Sequence, residues 1–194
     1  MQDRKGDWMQ TRTGVQFWPL DPRPEDVHLE DIAWSLSNQC RYAGHCAFFY
    51  SVAQHSVMVA DMVPDELKRV ALLHDATEAY LVDLPRPVKR RMADYRAAEQ
   101  VVWEAIAQRF GLPLEMPAAV KDADEDALAT EAPILMPNAP RSWNLRGAAR
   151  PFLVHPMSPE GAYAAFMRTA ELVGLLVARP VSPLEATTEA QGVA

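Results

Sequence analysis

The sequence is poor in cysteine and has no long apolar run. Its 194 residues include two cysteines, Cys40 and Cys46, which do not form a Cys-x-x-Cys pair. A disulfide framework and a cysteine-based zinc site are therefore excluded. No stretch reaches the roughly 18 apolar residues that can span a bilayer, and residues 1–7 lead into no apolar run typical of a signal peptide. We therefore expect a cytoplasmic protein without a membrane partner.

The sequence also has no excess of positive charge and no familiar nucleotide-binding motif. Nineteen basic and 26 acidic residues give a formal net charge of −7, whereas nucleic-acid-binding domains are usually basic. We expect no stable nucleic-acid binding, although a locally basic pocket can still bind a small anion. There is no Gly-x-Gly-x-x-Gly, Walker or Gly-x-Ser-x-Gly motif, so dinucleotide, P-loop and serine-hydrolase chemistry lack their signatures.

The spacing of apolar residues predicts an all-α fold. Beyond the N-terminal region apolar residues recur every three to four positions, and few segments alternate with period two. One long helix is predicted at about residues 94–110, with Val101 among its inward-facing residues and Gly111 ending it. Another is predicted at about residues 117–135, and a last helix begins after Ser158. The expected architecture is a compact helical bundle.

Proline-rich stretches divide the chain into parts. We predict, in order, an irregular N-terminal arm at 1–24, a main domain at 25–178 with proline-rich loops at 82–89 and 137–157, and a disordered tail at 179–194. Within the arm, a short hairpin is predicted around Thr13 and Gly14.

One histidine and two carboxylates cluster in the stretch Leu73-His74-Asp75-Ala76-Thr77-Glu78. We predict a single helix that begins near Pro64 and carries His74 and Glu78 one turn apart, with Asp75 in reach of the same region. Imidazole and carboxylate groups together are a usual ligand set for divalent metals. Because the preceding residues are apolar, such a pair is expected to be paired or metal-bound. A solvated His-Asp pair at a helix end is the alternative.

Two further candidates lie elsewhere in the chain. Ser51 is predicted to cap an apolar helix that carries His55. Asp124 lies near the start of the predicted helix at 117–135, between Asp122 and Asp126. Judged from the residues alone, His55 is also compatible with a hydrogen-bonded core histidine, and Asp124 with one charge of an acidic helix start.

Several ordered motifs give the chain a resemblance to a known family. They are Gly44 to Ala53, Gln54-His55-Ser56, His74-Asp75-Ala76-Thr77-Glu78, and Asp83-Leu84-Pro85-Arg86-Pro87-Val88-Lys89. Over about residues 30–135 they resemble the HD-domain metal-dependent phosphohydrolases, in particular bacterial 5′-deoxynucleotidases and phage dATP triphosphohydrolases. The resemblance implies an HD-type helical domain and an enzyme of nucleotide metabolism. It also implies a homo-oligomer in the cytoplasm of a bacterial cell or a phage-infected host.

The resemblance implies a set of metal ligands, namely His55, His74, Asp75 and Asp124. Asp124 is preferred to its neighbours because it occupies the Ala-Asp position of the family pattern. Two imidazoles and two carboxylates leave positions for water and a phosphate oxygen, so that a metal-bound water can attack the phosphorus. This mixed ligand set does not fix the ion, and one or more of Mn, Co, Zn, Ni, Fe or Mg is expected.

The resemblance also implies catalytic and substrate-binding residues. Glu78 is expected to position the attacking water or move its proton, and Asp83 to handle protons or, alternatively, only to fix its loop. The expected substrate-binding residues are Arg41, Tyr42, Pro87, Lys89 and Lys121. The family aromatic at the position of Tyr42 is often Trp, which leaves base stacking open. Each of the cations is also compatible with an ordinary surface charge.

Two reactions fit this resemblance. A 5′-deoxynucleotidase removes phosphate from a deoxynucleoside monophosphate, and a dNTP or dATP triphosphohydrolase releases triphosphate. The second needs more positive charge in the pocket, for which the three candidate cations are available. A non-catalytic HD-type sensor that binds a nucleotide and a metal is the alternative of a different class.

Overall fold

The computed structural model describes residues 4–136 and 145–176. In these residues the regular secondary structure is helical apart from one two-stranded hairpin, which confirms the all-α class. No helix of the described part is long and apolar enough to cross a membrane. The predicted tail at 179–194 lies outside the described residues, as do residues 137–144 of the predicted loop. Residues 145–157 contain no helix or strand.

The helices are, in chain order, α1 (Leu29–Asn38), α2 (Val52–Asp61), α3 (Lys68–Leu72), α4 (Glu78–Leu81), α5 (Arg86–Lys89), α6 (Ala93–Phe110), α7 (Ala118–Leu135) and α8 (Pro159–Leu172). Short 3-10 turns lie at Pro24–Asp26, Arg41–Gly44 and Asp65–Leu67. Helices α6 and α7 match their predicted bounds, and Gly111 ends α6 in the left-handed conformation. Ser158 caps α8 as predicted, through a hydrogen bond to the Gly161 backbone.

Helix α2 lies at the centre of the fold. It packs against α1, α3, α7 and α8, and its apolar neighbours include the fully buried Ile32, Leu72 and Phe166. Burying an aliphatic or aromatic side chain of this size contributes about 1.5–3 kcal/mol. Any polar side chain on the inner faces of α2 is therefore shielded from water and needs a partner within the protein.

The N-terminal arm is tied to the helices. Strands β1 (Met9–Gln10) and β2 (Gln16–Phe17) form the predicted hairpin. Phe17 is fully buried and stacks on Tyr80, with ring centroids 3.8 Å apart. The backbone amide of Thr13 and its hydroxyl donate to the Asp31 carboxylate at 2.8 and 2.7 Å. The arm therefore fixes α1 against α4.

Three local predictions are wrong. The single helix expected through His74 and Glu78 is broken, because α3 ends at Leu72 and the chain turns over residues 73–77 before α4 begins. The predicted loop at 82–89 contains α5, in which Pro87 occupies a first-turn position that needs no amide partner. Val101 is 41% exposed rather than inward-facing.

Candidate metal centre

The N-terminal cap of α2 sets the position of His55. The Ser51 hydroxyl accepts from the Gln54 amide at 3.1 Å, and the Gln54 side chain accepts from the Ser51 amide at 3.2 Å. This reciprocal pair is a capping box, which fixes where the helix starts. The predicted cap is confirmed, and it places His55 one turn into the helix with its ring fully buried.

The turn between α3 and α4 positions His74 and Asp75. The His74 Nδ1 atom donates to the Ala71 carbonyl at 2.7 Å. In the same way, Nδ1 of His55 lies 2.9 Å from a Glu131 carboxylate oxygen on α7. An acceptor thus binds Nδ1 of each ring, which leaves the two Nε2 atoms directed into the same site. The two ring centroids lie 5.3 Å apart. This is the arrangement in which neutral histidines bind metals through Nε2.

Two carboxylates complete the cluster. Asp124 Oδ1 lies 3.0 Å from Nε2 of His55 and 4.0 Å from Nε2 of His74. Asp75 Oδ2 lies 3.2 Å from Nε2 of His74 and 3.8 Å from Nε2 of His55. Donor atoms of His55, His74 and Asp124 all lie within 4.8 Å of one another. The structure thus brings together the four side chains that the resemblance implied as ligands.

The cluster fits a divalent ion in two respects. Nε2 of His74 is buried and makes no hydrogen bond of good geometry, which is unusual for a buried polar atom. The metal-binding atoms of the cluster are imidazole nitrogens and carboxylate oxygens, which suit Mn, Fe, Co, Ni or Zn. The residues present can therefore hold such an ion.

The carboxylates of the cluster are held in the ionised form. Burial acts to raise the pKa of Asp75, but the charges of His74, His55 and Arg41 outweigh it and place that pKa far below its usual value. Burial likewise opposes ionisation of Asp124, whose hydrogen bond to His55 and the His74 charge lower its pKa to about 2.

Neighbouring carboxylates raise the pKa of both histidines of the cluster while no ion is bound. Burial and the Arg41 charge act to lower the pKa of His55, but Glu131 and Asp124 outweigh them and raise it to about 9. Burial also acts against protonation of His74, and the Asp75 carboxylate nevertheless raises its pKa. Protons on the imidazoles thus balance the carboxylates where an ion would otherwise do so.

A strained turn positions Arg41. Tyr42 and Ala43 have φ values of +54° and +51°, and Gly44 follows with +81°. Non-glycine residues in the left-handed region cost roughly 1–2 kcal/mol each, so the surroundings must hold the turn. The Arg41 amide donates to the Tyr50 carbonyl at 2.9 Å, and the Arg41 carbonyl accepts from the Cys46 thiol at 3.1 Å. The Arg41 guanidinium therefore faces the cluster, 3.9 Å from Asp75 Oδ2.

Tyr42, the predicted base-stacking residue, packs beside this guanidinium. The Arg41 guanidinium carbon lies 5.4 Å from the centre of the Tyr42 ring. Burial raises the pKa of the Tyr42 hydroxyl to about 12 although the Arg41 charge opposes the shift. The side chain is therefore a neutral, half-buried phenol beside the cluster, and its role in base stacking stays a prediction.

Glu131 was missed as a functional residue by sequence reasoning. Its side chain is fully buried, and its second oxygen lies 3.2 Å from Nη2 of Arg41. Arg41 and His55 lower the pKa of this carboxyl despite its burial. The available signal was spacing, because residue 131 lies seven positions after Asp124 and therefore two turns along the same face of α7.

A second acidic pair borders the cluster at α4. Glu78 is 6% exposed, and burial with the charges of Asp75 and Asp83 raises its pKa well above the usual value. Burial and Asp75 also raise the pKa of Asp83, whose hydrogen bond to Glu78 acts in the opposite direction. Burial and mutual repulsion thus make both carboxyls of this pair harder to ionise than ordinary carboxyls.

Contacts with α6 hold the residues around Glu78 and Asp83. Lys89 forms an ion pair with Glu99 of α6. Val82, which precedes Asp83, has a φ of +64° and a ψ of 147°, a conformation found almost only in glycine. The Tyr95 hydroxyl donates to the Val82 carbonyl and holds this backbone in place.

A cavity of about 650 Å³ opens beside His74. Lys121, Arg96 and Trp103 contribute to its wall, so the predicted cation Lys121 faces the space next to the cluster. Pro87 is exposed on α5 and does not line this cavity. The Arg86 guanidinium lies 3.7 Å from Asp124.

These features define the class of the protein, an all-α protein with a candidate divalent-metal centre. The chain is 43% identical over 163 residues to the uncharacterized protein YfdR of Escherichia coli strain K12, covering 82% of this chain and 92% of YfdR. It belongs to the same family as YfdR. It is also 35% identical over 129 residues to the uncharacterized protein RCAP_rcc00048 of Rhodobacter capsulatus, covering 61% of this chain and 66% of that protein. No protein-family model matches the chain.

Proposed function

We propose that this protein is a divalent-metal-dependent phosphohydrolase of deoxynucleotides with an HD-type centre. The observation that carries the proposal is the convergence of two imidazole Nε2 atoms and two carboxylates beside a buried arginine and a buried glutamate whose pKa is raised. A purely structural helical protein has no need of this many ionisable groups at one buried point, because each is costly to desolvate. The motifs that resemble HD-domain enzymes supply the substrate class.

His55, His74, Asp75 and Asp124 would hold the ion. Bound there, a divalent ion lowers the pKa of a water molecule and polarises a phosphate oxygen. Arg41 faces the same point and is available to bind a phosphate oxygen through its guanidinium. Lys121 lines the cavity beside His74.

Glu78 and Asp83 would manage the proton of the reaction. Burial and the neighbouring acidic charges raise the pKa of both carboxyls. A carboxyl whose pKa is raised towards neutrality is suited to general acid–base work. Glu78 can therefore accept a proton from the attacking water or, when protonated, donate it to the leaving oxygen.

The distribution of charge favours a monophosphate over a triphosphate. Two of the three predicted phosphate-binding cations are already paired with acids, Arg41 with Glu131 and Lys89 with Glu99. Among the described residues, Lys121 has no ion pair within 4 Å. A triphosphate brings several more negative charges to a site that is rich in carboxylates. We therefore place deoxynucleoside 5′-monophosphates first among the substrates and dNTPs second.

A metal-by-substrate screen tests the proposal. Protein stripped of metal is reloaded with Mn, Co, Zn, Ni or Mg and incubated with dNMPs, NMPs and dNTPs, and the products are separated by chromatography. Phosphate and nucleoside from dNMPs are expected. Triphosphate released from dNTPs alone would replace the monophosphatase with a triphosphohydrolase. Metal and nucleotide binding without turnover would favour the sensor.

Neighbouring aspartates on α7 provide a matched pair of variants. Asp124→Ala is expected to abolish metal binding and turnover. Asp122→Ala removes an exposed carboxylate two residues away and is expected to leave both unchanged. Equal activity of the two variants would contradict the assignment of Asp124.

We also propose that the enzyme is a cytoplasmic homo-oligomer. Light scattering of the purified protein tests the oligomeric state.

A further inference from the structure

Glu131 carries a buried charge that the proposed reaction does not use directly. It lies on the inner face of α7 among apolar residues and is fully buried. A buried carboxylate destabilises a protein unless several donors compensate it. Packing alone would be served by an apolar side chain of similar size. The buried charge therefore points to a role for the polar contacts of Glu131.

The contacts of Glu131 link two parts of the site that lie far apart in the chain. One oxygen is 2.9 Å from Nδ1 of His55, and the other is 3.2 Å from Nη2 of Arg41. The charges of Arg41 and His55, with smaller contributions from hydrogen bonding by His55 and Tyr50, lower the pKa of this carboxyl against its burial. A single carboxylate thus bonds to the His55 ring on one side and forms an ion pair with Arg41 on the other.

We propose that Glu131 is a positioning residue that joins the metal site to the phosphate site. It keeps the proton of His55 on Nδ1 and leaves Nε2 available to the ion, and it holds the Arg41 guanidinium at the edge of the cluster. The role rests on the proposed metal-dependent phosphohydrolase. It predicts that losing one carboxylate weakens both metal binding and phosphate binding.

Glu131→Gln is the informative substitution because it preserves the shape of the side chain. An amide has one acceptor oxygen and one NH₂ donor, whereas His55 and Arg41 both present donors. One of the two must therefore face the NH₂ group, and the contact is lost or the histidine adopts the other tautomer. Glu104→Gln, an exposed position on α6, is the matched control.

The first measurement is Zn²⁺ affinity by competition with a chromophoric chelator. Loss of the carboxylate behind a ligand histidine typically weakens metal binding by about 10–100-fold, and we expect this for Glu131→Gln, with Glu104→Gln within about twofold of the wild type. A folded Glu131→Gln protein with wild-type affinity overturns the role of Glu131 alone. Wild-type protein that binds no divalent ion overturns the proposed function, and the role of Glu131 with it.

The second measurement tests the link to Arg41. Binding of inorganic phosphate to the Zn²⁺-loaded protein is compared in wild type, Glu131→Gln, Arg41→Ala and the double variant. We expect Glu131→Gln to weaken phosphate binding when Arg41 is present and to have little further effect when it is absent. Equal effects in both backgrounds overturn the link.

A third measurement needs no variant and applies even if Glu131→Gln fails to fold. Nitrogen-15 NMR of the Zn²⁺-loaded wild-type protein reports which ring nitrogen of each histidine carries the proton. For His55 we expect a protonated Nδ1 and a metal-bound Nε2. Zinc on Nδ1, or an unprotonated Nδ1, overturns the proposal.

Discussion

Metal binding to this site is expected to release about two protons. Asp75, Asp124 and Glu131 bring three negative charges, and Arg41 cancels one of them. The two that remain are cancelled either by imidazolium groups or by one divalent ion. Because a metal ligand must be deprotonated, the ion exchanges with the protons of His55 and His74.

The pH dependence of metal affinity follows from this exchange. Below about pH 6.5, the ordinary pKa of histidine, both imidazoles are protonated, because the pKa of His74 is raised and that of His55 is about 9. The association constant should therefore rise with pH by about 100-fold per unit, or about 2.7 kcal/mol. As pH rises through the pKa values of the two histidines, of which that of His55 is about 9, the slope should fall towards one and then towards zero. Asp124 contributes no slope because its pKa is about 2.

Two assays measure this slope independently. Competition of Zn²⁺ with a chelator of known affinity, between about pH 5.5 and 9, gives the affinity directly. Isothermal titration calorimetry at one pH, in buffers of different ionisation enthalpy, counts the released protons. This account of the cluster would be refuted if the Zn²⁺ association constant rose by less than about tenfold per pH unit in the acidic range. A count of released protons near zero would refute it as well.

The remaining predictions concern the proton, the packing and the cap. Glu78→Gln should lower kcat by about 10²–10⁴-fold and leave Zn²⁺ affinity nearly unchanged; loss of the metal would instead make Glu78 a ligand. Gly147→Ala should lower the free energy of unfolding, measured in urea, by about 1–3 kcal/mol, because the new Cβ would lie 2.0 Å from the Glu125 carbonyl oxygen. Wild-type stability of this variant would disprove the close approach. Ser51→Ala should cost about 1 kcal/mol in the same assay, since it removes the cap of α2, and a cost near zero would show that the capping box adds nothing.

Local signals in the sequence were sufficient for several elements. Ser51 marks the start of α2, and Gly111 marks the end of α6. In both cases the determining contacts lie within a few residues along the chain. Helix bounds of this kind follow from capping chemistry, which the sequence displays directly.

The break between α3 and α4 could not be predicted in this way. No glycine or proline interrupts residues 68–81, so the helical pattern appears continuous. In the structure, side chains of α1 and the residue after it bind backbone carbonyls of α4. Gln39 donates to the Glu78 carbonyl at 2.9 Å, and Ser35 donates to the Ala79 carbonyl at 2.9 Å. These tertiary contacts help to set where α4 lies, and they are invisible to local propensity.

The residues of the candidate site likewise divide into those that a local motif reveals and those that only the folded chain brings together. Residues that form a motif along the chain, such as His74 with Asp75, were identified from the sequence. Glu131 and His55 lie 76 positions apart, so only the folded chain shows that they meet. The left-handed turn at Tyr42 and Ala43 was also unpredictable, because neither residue is a glycine.

The separation of the ligands along the chain gives an ion at this site a mechanical consequence. His55 and Asp124 lie 69 positions apart and belong to different helices, in a chain whose two cysteines are free thiols. An ion shared by both would close a loop of that length. A disulfide that closes a loop of this length lowers the entropy of the unfolded chain and so raises the free energy of unfolding by about 4 kcal/mol. The ion would thus act as a reversible crosslink, and fraying of α7 would require its release. Hydrogen exchange in α2 and α7 should then slow together on loading.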